Sequence, residues 1–126
     1  MRKILPLLLA LLMLACNRTE HKSVSDPAYS MLERVAELNA GGDKQGALAL
    51  ADSALLMHPA DTTRCWLLSE KAVTLVDMGR MADAVGVAQG AYRLAEKLHD
   101  VDAMLNLRGT MGIAYRRLGK TDSALV

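Results

Sequence analysis

Three glycines constrain how this chain can fold. Gly42, Gly79 and Gly119 stand 37 and then 40 residues apart, and each is followed five residues later by an alanine, at Ala47, Ala84 and Ala124. Glycine tolerates the left-handed backbone that ends a helix. Alanine lets two helices approach closely. The segments GGDKQGALALADSAL, MGRMADAVGVAQGAY and LGKTDSALV therefore superimpose as a helix end, a turn and the start of a closely packed helix. Recurrence at roughly 20–50 residues marks stacked units, none of which can bury its apolar face alone.

Between the glycines the apolar residues recur at helical spacing. Asp26-Pro27 offers a capping oxygen and a first helical residue that needs no N–H, which predicts a helix start. Met31, Val35 and Leu38 carry this first helix to Gly41-Gly42. A second follows Asp43 with Ala47, Leu50, Ala51, Ala54 and Leu55 on one face and stops at His58-Pro59. A third runs from about Thr63 to Met78 with Leu68, Ala72, Leu75 and Val76, and a fourth from Met81 to Leu98 presents Ala84, Val87, Ala88, Ala91, Ala95 and Leu98. The fifth, after Asp100, carries Met104, Leu107, Met111, Tyr115 and Leu118 and is expected to close at Gly119. No stretch alternates with period two, so the chain reads as all-α. With no Phe and only 3% aromatic residues, stacked helix pairs that bury many modest side chains suit it better than one bulky core.

The series resembles the tetratricopeptide repeat (TPR) family over residues 28–126, as repeats at about 28–61 and 65–104 and a partial one at 105–126. Val35 stands at the small position of the first helix, Leu38 where the family often has Tyr, Ala47 and Ala54 where paired helices touch, and Pro59 at the closing proline. The third unit has Gly112, Tyr115, Gly119 and Ala124. The departures are the missing tryptophan at Met31, Leu68 and Arg108, the charged Arg34 and Lys71 in place of leucine, and a longer second repeat without its proline. The resemblance implies an α-solenoid of antiparallel helix pairs with about two and a half repeats; an unrelated helical bundle is the alternative architecture. Asp122–Val126 begins a sixth helix and stops, which is the pattern expected of a truncated longer repeat protein.

In that family the first helix of each pair lines a concave groove. The resemblance would place Tyr29, Leu32 and Asn39 there from the first repeat, Trp66, Ser69, Val73 and Asp77 from the second, and Asn106, Ile113, Arg116 and Arg117 from the third. Trp66 would either anchor a bound peptide or pack between repeats, and Arg116-Arg117 would either flank the groove or form a plain solvated face. The lysine and asparagine pattern by which some TPR domains clamp a terminal carboxylate is not present at the matching positions.

The N-terminus supplies the expected location. MRKILPLLLALLMLAC has cations at Arg2 and Lys3 and an apolar run from Ile4 to Ala15, the layout of a secretion signal and well short of the roughly 20 apolar residues a membrane span needs. Met13-Leu14-Ala15-Cys16 resembles the lipobox of bacterial lipoproteins, which implies cleavage after residue 15 and acylation of Cys16; an ordinary signal cleaved near Ala15 is the other reading. Two or three acyl chains hold a protein on a bilayer where one is marginal. Residues 16–27 would then be a tether, polar as NRTEHKSVS is. The expected location is the bacterial cell envelope, on the periplasmic side or at the outer membrane.

Loss of residues 1–15 leaves thirteen Lys and Arg against fourteen Asp and Glu, which removes the electrostatic case for nucleic acid. Cys65 is the second of two cysteines and reads as a small buried apolar residue. His99-Asp100-Val101-Asp102 lies at a helix junction, where Asp is an expected N-cap, and lacks the ligand set of a metal site. No nucleophile elbow and no phosphate-cradling loop appears. The sequence therefore points to no enzyme, cofactor or small-molecule substrate, but to a membrane-anchored scaffold for a protein or peptide. The alternative is the sensory or assembly segment of a larger signalling protein with a histidine-kinase or DNA-binding output.

Overall fold

A computed structural model describes residues 26–124. The signal, Cys16 and the tether up to Ser25 lie outside the described residues. Within them the chain is all-α: α1 (Pro27–Ala40), α2 (Lys44–Leu55), α3 (Asp61–Asp77), α4 (Met81–Leu98) and α5 (Val101–Ala124). The connections are two to five residues long, which makes consecutive helices antiparallel neighbours.

The helix ends follow from local chemistry. Asp26 Oδ1 accepts the Ala28 N–H at 3.1 Å, with Pro27 beginning the helix. Asp43 does the same for Gly46 at 3.0 Å, and Asp100 for Ala103 at 3.0 Å. Three helices stop on a left-handed residue, Gly42, Gly79 or His99. In each case the next N–H folds back five residues onto a carbonyl, Asp43 to Leu38, Arg80 to Leu75 and Asp100 to Ala95, which satisfies carbonyls the helix leaves open.

Gly119 behaves differently. The expected break is absent, and α5 runs through it to Ala124. A glycine inside a helix costs about 1 kcal/mol relative to alanine. Breaking here would require a fresh nucleus for the next helix, whereas extension of an existing helix adds a hydrogen bond per residue. Extension prevails.

Each helix contacts its successor, and α1 also packs on α3 and α3 on α5. Helices α2 and α4 have no close backbone approach to one another, although Leu48 of α2 packs against the cluster that holds Ala84 of α4. The core has three parts. Ala28, Val35, Ala47, Ala51, Ala54 and Leu67 join α1 and α2 to α3. Cys65, Ala72, Ala88, Ala91, Ala95, Ala103 and Leu107 join α3, α4 and α5, and Leu75, Val76, Ala84 and Ala114 close one side. A shift of 37 residues carries Ala28, Val35, Ala47, Ala51 and Ala54 onto Cys65, Ala72, Ala84, Ala88 and Ala91, and every one of these ten is buried.

Asp26 also ties α1 to α3: its Oδ2 accepts the Ala60 N–H at 3.3 Å. The Thr63 hydroxyl, together with the Ala28 and Ala60 amides, holds the Asp26 carboxyl below its ordinary value of 3.8, against the opposing effect of burial. A depressed folded-state pKa favours the native state where the group is ionised. This stabilisation is present above pH 3.8 and is lost as pH falls through the lower folded-state value. Asp26→Ala is therefore expected to lose about 0.5–2 kcal/mol near pH 7, with the gap to wild type narrowing below pH 3.8 in urea melts at both pH values.

Candidate functional site

Helices α1, α3 and α5 lie in succession, and the eleven candidate groove residues all sit on them. Five of the eleven are engaged in bonds within the chain. Asn39 bridges to α3: its amide donates to Glu70 Oε2 at 2.8 Å, and its Oδ1 accepts from the Thr74 hydroxyl at 2.8 Å. The Trp66 indole N–H donates to Asp100 Oδ2 at 3.2 Å, so Asp100 caps α5 with one oxygen and holds α3 with the other. Ser69 is buried, its hydroxyl donating to the Cys65 carbonyl at 2.9 Å. Asp77 accepts from Lys44 Nζ at 2.8 Å, and Arg117 donates to the Val76 carbonyl at 3.4 Å.

The other six leave surface for contact. Tyr29, Asn106, Ile113 and Arg116 are exposed, and Leu32 and Val73 are half-buried. They offer aliphatic and aromatic area with a cation toward the C-terminal end, chemistry suited to holding a peptide side chain.

On the opposite side, a cleft of about 430 Å³ opens between α2, α3 and α4, floored by Leu48, Leu75 and Val87. Its charges are paired with one another, Lys71 with Asp52 at 2.6 Å and Arg80 with Asp83 at 2.9 Å. Cys65 lies in the core with its thiol donating to the Ala91 carbonyl at 3.6 Å. Burial, aided by the Asp100 charge, pushes the thiol above its ordinary value of 9.0, which opposes the thiolate form that nucleophilic chemistry needs. Among the described residues no group of three or more His, Cys, Asp and Glu side chains is placed to hold a metal ion. Nor is any helix among them long and apolar enough to cross a membrane.

No protein-family model, curated protein or solved structure matches the chain. The site is therefore read from its own geometry. The sequence reading misses Glu70 and Thr74 and gives Asp100 a capping role alone, although a signal for their bonds is there. Five of the polar links between helices join residues 31 to 35 apart, Asn39–Glu70, Lys44–Asp77, Asp26–Ala60, Trp66–Asp100 and Asn39–Thr74, beside others at different separations, such as Lys71–Asp52 and Arg117–Val76. A polar residue one helix pair away is thus the partner to look for.

Proposed function

We propose that this chain is a TPR-like repeat protein anchored to a bacterial membrane through acylated Cys16, and that it holds a protein or peptide on the face shared by α1, α3 and α5. One observation carries the reading. The buried set of α1 and α2 recurs 37 residues later in α3 and α4, while α1, α3 and α5 touch in succession and α2 and α4 have no close backbone approach. Stacking of equivalent pairs with one row of helices close and the other splayed curves an array toward the close row. That row then forms a concave surface, and Tyr29, Leu32, Val73, Asn106, Ile113 and Arg116 are its contact residues. Trp66 acts as a strut between α3 and α5 rather than as the anchor. The role is binding, with no catalytic group and no cofactor.

Two measurements test this. Cys16→Ser is expected to move the protein from the membrane fraction to the soluble fraction, or to leave it unprocessed with residues 1–15 attached. Normal signal removal with unchanged fractionation would refute the anchor. For the binding face, a photo-crosslinking side chain at Val73 or Ile113 is expected to yield a discrete adduct in cells, and one at Ala49 on α2 is not. Equal labelling from Ala49 would place binding elsewhere.

A further inference from the structure

Of the seven large apolar side chains exposed among the described residues, five lie at one end of the helix bundle. Antiparallel connection brings the starts of α1, α3 and α5 and the ends of α2 and α4 to that end. The Asp26–Ala60 and Trp66–Asp100 bonds hold the three starts together. Tyr29 stands in the first turn of α1. Leu56 and Met57, 80% and 48% exposed, occupy the loop between α2 and α3, and Val101 and Leu105, 63% and 61% exposed, stand in the first two turns of α5. The opposite end, with its turns at Gly42 and Gly79, carries the Lys44–Asp77 and Arg80–Asp83 pairs instead.

The chain enters the bundle at this same apolar end, since Asp26 is the cap of α1. Asp26 stands ten positions after Cys16, a reach of at most about 35 Å when fully extended. A tether this short keeps the apolar end within a helix length of whatever surface holds Cys16.

We propose that this end of the bundle rests on the bilayer, with Leu56, Met57, Val101 and Leu105 inserted among the lipid headgroups and Tyr29 at their margin. The proposal rests on the lipid-anchor reading above. Exposed apolar side chains gathered in one region mark a contact surface, and here the short leash selects lipid as the occupant. The phenol of Tyr29 suits a boundary where one end of a side chain is apolar and the other wet. The same end is acidic on balance, with Asp26, Asp61, Glu96, Asp100 and Asp102 against Arg64 and Lys97, so apolar insertion rather than attraction to anionic lipid drives the contact and added salt should not release it.

The test uses the full acylated chain in phosphatidylethanolamine–phosphatidylglycerol vesicles containing nitroxide-bearing lipids. A fluorophore is attached at Leu56→Cys or, at the far end, at Arg80→Cys; buried Cys65 does not compete for the label. Quenching is expected to be several-fold stronger at Leu56→Cys than at Arg80→Cys. With the label moved to Met57→Cys, adding Leu56→Glu and Val101→Glu should abolish most of the quenching while acylation still holds the chain in the membrane fraction. Equal quenching at both ends of a membrane-bound chain overturns the proposal, as does a label shielded by a second copy in a cross-linkable dimer. A chain found in the soluble fraction overturns the anchor reading and this contact with it, and fractionation distinguishes that failure from the others.

Discussion

Replacing Ala51 or Ala88 with leucine is expected to lower the stability of the fold by about 1–3 kcal/mol or more at either position, whereas Ala49→Leu on the solvent side of α2 should be close to neutral. Both target alanines are fully buried, Ala51 against α1 and Ala88 against α3 and α5. Three added carbons at such a contact push two helix axes apart, and each neighbouring contact lengthens with them. For a body of this size each kcal/mol corresponds to roughly 4–8 °C in Tm. Thermal melts followed by circular dichroism read the effect directly. The two sites stand 37 residues apart, so the comparison also measures equivalence. Similar losses at both would mean that the two helix pairs are closed by the same contact, while a tolerant Ala51 beside an intolerant Ala88 would mean that they merely share spacing.

The alanine contacts were legible in the sequence because helical periodicity and small size are both local properties. So were the caps at Asp26, Asp43 and Asp100, the stops at Gly42 and Gly79, and the burial of Cys65. The fate of Gly119 was not. The same residue type ends a helix at Gly42 and Gly79 and lies inside one at Gly119, so its neighbours in space decide. The candidate face was legible only in outline. Periodicity assigned Asn39, Trp66 and Asp77 to the correct helices, but it could not reveal that Glu70, Asp100 and Lys44 stand opposite them and turn them into struts. Partners 31 to 34 residues away belong to a neighbouring helix pair, beyond the reach of any single-helix pattern. The clustering of Leu56, Met57, Val101 and Leu105 at one end was likewise invisible, because two separate segments meet there only after the helices have alternated in direction.

Leu67→Ala is expected to give the larger loss of stability, about 2–5 kcal/mol, and to divide the molecule along a particular seam. Leu67 is fully buried, and although it belongs to α3 it packs into the cluster formed by α1 and α2. It is the largest buried side chain that the second helix pair contributes to the cluster of the first. Truncation leaves a cavity in a cluster whose other buried members are Val35 and four alanines. The cluster of Cys65, Ala72, Ala88 and Leu107 on the other side of α3 remains untouched. On the proposed repeat reading, in which units contact only their neighbours, such a lesion weakens one interface and spares the next. Hydrogen exchange of the variant should therefore show protection falling first and furthest in α1 and α2, with α4 and α5 retaining theirs under conditions that keep the chain folded. A uniform fall across all five helices would mean that the clusters stabilise one another as a single core, and that the helix pairs do not act as separable units.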